Sequence, residues 1–311
     1  MKNSSWISPS SKTRTLVRSP RLPRWTAWVI ALVVLAGACS DPAASEENCW
    51  EEDPPATKSY STTSTHRGRV NVIHEVTYSG ESSTTKRSIV AGFSDISSAE
   101  MKSRTPASVM CDVSCVLLTG APYKVCNKPA PDPCELASLD VDQVELEVGS
   151  GKVALTKQAG GSFSAQDVAD PLFASTSIKA VVTGQDAAGY FPSFDITSRP
   201  IDLMELSKPD PESSSPVGSS DLKINWKAGN GDFVLVEVKS TDASVKDKVQ
   251  CFLQDDGCHN MGACVLDLLD IKAGDAFKLA VERVHTEAKD LDANSSILLN
   301  LASHVETTLM R

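Results

Sequence analysis

From about residue 66 onward the chain alternates apolar and polar positions with a period of two. Val70, Val72, His74, Val76 and Tyr78 fall on one side, and Asn71, Ile73, Glu75 and Thr77 on the other, as in a strand with one face on a core. The same spacing marks Lys86–Phe93, Val141–Val148, Lys152–Thr156, Thr176–Thr183, Asp221–Trp226, Asp232–Lys239, Val249–Leu253, Phe277–Val284 and Ser296–Val305 as further strands. Gly, Pro, Asn and Asp punctuate these windows. Val265–Ile271 could form a helical turn, too short to change the class. Regularly spaced short strands with almost no helical period predict a mainly β fold built of β-sandwich-like modules of the Ig or fibronectin kind.

One stretch breaks the alternation. Residues 207–220 (SKPDPESSSPVGSS) concentrate Pro, Ser and acid and contain one large aliphatic residue, so they read as a linker. The expected organisation is a first β-rich domain over 67–206 and a second, sandwich-like one over 221–311.

The N-terminal segment has a different physics. Lys2, Lys12, Arg14, Arg18, Arg21 and Arg24 precede any acid, and a run of fourteen largely apolar residues follows from Trp25 to Ala38. A membrane-spanning helix needs about 20 such residues, so the run reads as a signal-peptide core. Leu35-Ala36-Gly37-Ala38-Cys39 then resembles the lipobox of bacterial lipoproteins, with Ala36 where that motif most often has Leu. The resemblance implies cleavage after Ala38 and acylation of Cys39, which would hold the chain in membrane lipid; the expected address is the outer membrane. An ordinary secretory signal cut near the same place is the other reading of residues 1–38.

Removing that segment alters the charge balance. The full chain carries 30 basic and 40 acidic residues, and the leader takes six basic and no acidic ones, leaving a formal charge of −16. Such a surface is a poor match for nucleic acid, whose binding rests on Lys and Arg contacts to phosphate. Residues 39–66 hold six carboxylates against Lys58 and are rich in Ser, Thr and Pro, the composition of an acidic flexible tether. Cys49-Trp50 stands out within it as a place where the tether could be pinned.

With Cys39 assigned to lipid, eight cysteines remain: Cys49, Cys111, Cys115, Cys126 and Cys134 in an early group, and Cys251, Cys258 and Cys264 in a late one. An exported chain with an even number of cysteines suggests a disulfide framework. If all eight pair internally, the split of five and three requires an odd number of bridges between the groups. A free cysteine in each group, or an intermolecular link, would also satisfy the count. Cys111-x3-Cys115 and Cys258-His259…Cys264 supply zinc-ligand types without the paired short spacings of a zinc finger.

Candidate catalytic groups are sparse, and the chain reads as a binding or structural protein, with no cofactor implied. His74-Glu75 lacks the second histidine of a zinc protease motif because Tyr78 occupies its place. Asp290-x-Asp292-x-Asn294 begins like a calcium loop but has Ser295 at the turn glycine and Leu301 at the bidentate glutamate. Asp140, Asp142, Glu145 and Glu147 would serve a carboxylate-based hydrolase only if they faced each other across a cleft. Trp226 and the group Tyr190–Phe194 offer aromatic platforms for a glycan, or core anchors. An envelope protein or a polysaccharide is the expected partner; a periplasmic assembly factor offering a sheet edge to an extended client is a further reading.

The succession of lipobox, CDVSCVL, Tyr190–Phe194, linker, DLKINW, AGND-like turn (Ala228-Gly229-Asn230-Gly231-Asp232), FVLVEV, VQC and LAVER resembles the uncharacterised secreted lipoproteins of the myxobacterial type over Val109–Arg311. That resemblance implies a β-rich exported lipoprotein and transfers no active site. Cys258 and Cys264 depart from it, so the pairing here need not follow the family.

Overall fold

The computed structural model describes Cys49, Pro55 and residues 57–102, 105–129, 134–169, 176–213, 215–218 and 220–311; Ala38, Cys39 and Trp50 lie outside the described residues. The fold is mainly β. An eleven-stranded sheet runs in the order β10 (Thr156–Lys157), β11 (Phe163–Gln166), β2 (Ser82–Asp95), β1 (His66–Ser79), β20 (Ser295–Met310), β19 (Ala276–Asp290), β16 (Phe233–Ser240), β17 (Lys248–Leu253), β5 (Cys115–Thr119) and β4 (Thr105–Ser108), with β7 (Ala137–Ser138) on the end of β2. Neighbours are antiparallel except β1 and β20, which run parallel. A four-stranded sheet orders β13 (Phe194–Ser198), β12 (Ile178–Thr183), β8 (Gln143–Val148) and β9 (Gly151–Ala154). A three-stranded sheet joins β14 (Leu206–Lys208), β15 (Leu222–Trp226) and β18 (Cys258–Met261), and β3 (Ala99–Lys102) pairs with β6 (Tyr123–Cys126). A single helix turn, α1 (Cys264–Leu268), follows β18.

The four-stranded and three-stranded sheets cover the same face of the large one. Along β20, Leu301 and Val305 are separated by an even number of residues and so share a face. Leu301 belongs to a first core with Val72, Ile89, Val144, Leu146, Ile178 and Phe194. Val305 belongs to a second with Val236, Val281, Ile224, Trp226, Met261 and Leu266. Four phenylalanines, Phe93, Phe163, Phe191 and Phe194, pack in the first core with ring centroids 5.0 to 6.5 Å apart. Phe191 and Phe194, read from sequence as platform or core, are core residues.

A polar row separates the two cores. Arg87, His74, Ser303 and Arg283 are successive register partners across β2, β1, β20 and β19. The apolar ladder Ile89, Val72, Leu301 runs on one side of it and Val76, Val305, Val281, Val236, Cys251 on the other. Strands β1 and β20 thus cross from one core to the other. Residues of the sequence-predicted linker lie against the end of β20: Thr307 Oγ1 donates to the Pro211 carbonyl at 3.0 Å, and the Val217 amide donates to the Met310 carbonyl at 2.9 Å.

Arg283 is fully buried and saturates the row. Its Nε and one Nη hold both oxygens of Asp255 at 2.6 and 3.0 Å, the other Nη donates to the Asp202 and Leu203 carbonyls at 3.1 and 2.8 Å, and the fifth donor reaches the Lys227 carbonyl. Asp255 also accepts from the Trp226 indole at 3.1 Å and the Gly231 amide at 2.8 Å. Gly229 is required here, since a Cβ would lie 2.4 Å from the Arg283 guanidinium carbon. The Ala228–Asp232 turn is shaped around a buried ion pair.

The disulfides follow the same plan. All eight cysteines pair: Cys49–Cys258, Cys111–Cys264, Cys115–Cys251 and Cys126–Cys134. Three of the four join the early group to the late one, an odd number as the count requires. Cys115 and Cys251 are directly opposed on β5 and β17. Cys49 is held twice, because the Asn260 amide also donates to its carbonyl at 2.9 Å.

Candidate functional site

The residues considered for catalysis from sequence do not converge. Lys157 pairs with Asp140 and holds its carboxyl below the usual carboxylate range, and Lys152 does the same to Glu147 at 2.8 Å. Glu145 accepts from Gln143 at 2.7 Å, and Asp142 accepts from Gln185 at 3.0 Å. Asp140 and Asp142 thus have partners of their own, while Glu145 and Glu147 share Lys152, which also lies 3.6 Å from Glu145. Asp292 Oδ1 accepts the amides of Asn294 and Ser295 at 2.7 and 2.8 Å, so it closes the β19–β20 hairpin. Trp226 is buried in the second core.

One buried polar group was missed from sequence. His259 Nε2 lies 2.8 Å from Asp112 Oδ2, and Ser114 is next to them in the chain, so the residue types of a nucleophilic triad gather near the Cys115–Cys251 bridge. The Ser114 hydroxyl and His259 Nδ1 are both buried without a hydrogen bond, so serine and imidazole do not engage each other. Asp112, Cys115, Cys251 and His259 also place four ligand-type atoms within 4.8 Å of one another, but two of these are the sulfurs of a disulfide.

The outward face of the large sheet, opposite the two cores, carries two depressions. Ile73, Phe233, Leu235, Phe252, Val284 and Ala302 line a depression of about 420 Å³ there, bordered by Thr57, Lys58 and Arg69. A second depression, of about 410 Å³, lies on the other side of Arg69, toward β2 and the Gly160-Gly161 turn. The segment before β1 stands over both. Tyr60 lies above two guanidiniums, 5.1 Å from that of Arg67 and 5.8 Å from that of Arg69, and Lys58 pairs with Glu287 at 2.7 Å.

Beyond the apolar patch the same face is charged. Glu75, His304 and Glu282 are cross-strand neighbours. Burial works against the charged imidazole of His304, but the hydrogen bond and charge of Glu282, with Glu75 and Glu306 behind them, hold its pKa above the ordinary histidine value. A raised folded pKa stabilises the fold fully below the unfolded value and loses that contribution as pH rises through the folded one. Unfolding free energy measured by urea titration should therefore fall from pH 6 toward pH 9, and His304→Gln should flatten the slope. An equal slope in the variant would assign the dependence elsewhere.

No protein-family model and no curated protein matches the chain. Solved structures similar to it include a Ca²⁺-stabilised adhesin of an Antarctic bacterium that binds ice, at 15% identity over 79% of this chain and 49% of that one, with a TM-score of 0.21. Another is a 1.5-MDa bacterial ice-binding adhesin, at 15% identity over 72% of this chain and 73% of that one, with a TM-score of 0.18. The chain spans about half the length of the first of these.

Proposed function

We propose that this chain is an exported, lipid-anchored, non-enzymatic binding protein of a bacterial envelope, in which the three bridges between distant cysteines fix the β body and the outward face of the large sheet meets the partner. The disulfide set carries the reading. Four bridges that use all eight cysteines of the framework persist in an oxidising compartment. The lipobox-like segment ending at Cys39 supplies the address, and the mature charge of −16 disfavours nucleic acid.

Asp140 and Asp142 are paired separately, and Glu145 and Glu147 meet on the Lys152 ammonium that neutralises them, which weighs against the hydrolase reading. Client binding by strand addition has little to work with: the outermost strands of the large sheet among the described residues, β10 and β4, are two and four residues long, and β4 contains Pro106.

Cys39→Ser should move the protein from the membrane to the soluble fraction and abolish incorporation of a labelled fatty acid. Unchanged membrane retention and processing would sink the anchor. For the binding role, the immobilised full chain should retain an envelope component from detergent extracts without altering it, and release of reaction products would overturn the non-enzymatic reading.

A further inference from the structure

The depression beside Tyr60 is built differently from the rest of this acidic molecule. Arg67 and Arg69 are two residues apart on β1 and so project from the same, outward face. Arg67 Nη1 is engaged by Glu100 at 2.7 Å, and Lys102 also pairs with Glu100, holding that carboxyl below its usual range together with Arg67. Arg67 Nε is buried with no hydrogen-bond partner. Among the described residues Arg69 has no carboxylate within ion-pairing distance, and its guanidinium lies against the Tyr60 ring. Arg67 is tied to Glu100, so it is Arg69, held beside it by the same ring, that keeps its donors for the hollow.

The neighbouring strand carries the second observation. Gly92 lies inside the fourteen-residue strand β2, as the cross-strand register partner of Arg69. A glycine inside a strand weakens it and marks a bulge, tight packing or the close approach of a ligand. The pairing of β1 with β2 is in register throughout, so there is no bulge. Packing is not the reason either: a Cβ on Gly92 would meet nothing within 4 Å, whereas one on the inward-facing Gly68 would strike Ile297 at 2.6 Å. Gly68 is explained by the core; Gly92 leaves a space open in front of Arg69. Ser94, Ser138 and Ser162, with the Gly160-Gly161 turn, add polar groups to the lining, and the one carboxylate among the lining residues, Glu100, is neutralised by Arg67 and Lys102.

We infer that this hollow binds an acidic glycan, taking the carboxylate of a uronic acid on the exposed Arg69 guanidinium, with sugar hydroxyls against the serines. Guanidinium groups bind carboxylates with two parallel hydrogen bonds, and a hollow of about 410 Å³ is of the size that holds a small ligand. A sulfate ester on a sugar presents the same oxyanion chemistry. The inference rests on the binding role proposed above and names its ligand.

The test is calorimetric titration of the detergent-solubilised full chain with a short oligouronide, a neutral oligosaccharide of the same length, a sulfated one and inorganic phosphate. The oligouronide should bind, more weakly as salt rises, and the neutral sugar should not. Arg69→Gln should weaken binding by about tenfold or more, the loss of a charge-assisted pair. Gly92→Phe should fill the hollow and abolish binding, with thermal unfolding to verify that it folds; Arg69→Gln decides the matter if it does not. A preference for the sulfated probe would place sulfate in the same subsite, again lost in Arg69→Gln. Binding of phosphate alone, equal binding of acidic and neutral sugars, no binding of any sugar, or acidic binding unchanged in the variants would overturn the inference. If envelope capture persists in Gly92→Phe, the binding role stands and this site falls; if the wild type captures nothing, both fall.

Discussion

Arg283→Ala should cost about 3 to 5 kcal/mol of folding stability, the loss expected when one partner of a buried, hydrogen-bonded ion pair is removed. The magnitude follows from what is left behind. Asp255 would remain buried as an unpaired carboxylate, and the carbonyls of Asp202, Leu203 and Lys227 would lose the donors that the buried guanidinium supplies. Asp255→Ala should be comparably damaging, because it strands a fully buried guanidinium and frees the Trp226 indole and the Gly231 amide. A double variant, Arg283→Met with Asp255→Leu, separates two accounts. If the charges only compensate each other, the double variant approaches wild type. If Arg283 is the junction that seals the two cores together, it stays destabilised by the orphaned backbone groups, and that is the expected result. Urea denaturation of the three variants measures this; a loss under about 1 kcal/mol for Arg283→Ala would show that the row is not structurally required.

Arg283 also shows what the sequence makes legible. In Phe277–Arg283 the residues at 277, 279, 281 and 283 share a side, so the alternation alone puts an arginine on the apolar face. That is a signal for a buried pair. Its partner Asp255 lies 28 residues away in a turn and could not be picked from the other acids. The strand windows were readable because period-two alternation is local. β19 extends to Asp290 and β20 to Met310, past the windows at 284 and 305, because their polar ends still find partners across a long hairpin.

The parallel pairing of β1 with β20 had no such signal. It joins residues 229 positions apart, and neither strand carries a turn that fixes the partner. The consequence reached the domain picture, since β20 supplies Leu301 to one core and Val305 to the other. Cysteine parity fared differently. It required an odd number of crossing bridges without identifying them, and three are found. The Tyr60 hollow was hidden for another reason: Tyr60 lies in a segment whose composition reads as tether, and Gly92 sits in a strand window where its lack of neighbours is visible only in three dimensions.

Among the bridges, removal of Cys49–Cys258 should be the most destabilising, although Cys115–Cys251 is as deeply buried. Cross-linking restricts the unfolded chain according to the loop it closes, and these loops overlap, with that of Cys115–Cys251 lying inside both of the other long ones. With Cys111–Cys264 intact, Cys115–Cys251 closes a further circuit of only about 17 residues, worth about 3 kcal/mol. Cys49–Cys258 closes a circuit of about 70 residues through either neighbour, worth about 4 kcal/mol, and the local Cys126–Cys134 is worth about 2.5 kcal/mol. Cys49→Ala with Cys258→Ala should therefore lower the urea midpoint more than Cys115→Ala with Cys251→Ala, by about 1 kcal/mol in unfolding free energy on this loop entropy alone. The reverse order would mean that packing of the cross-strand sulfurs outweighs chain entropy. The same bridge sets the reach of the proposed anchor. Ten residues separate Cys39 from Cys49, a span of at most about 35 Å, against about 90 Å to the start of β1 if the pin is lost. Loss of Cys49–Cys258 should accordingly leave the protein in the membrane fraction while making residues 57–64 more susceptible to protease, and equal protease resistance with and without the bridge would show that Cys49 is not what holds the stem to the body.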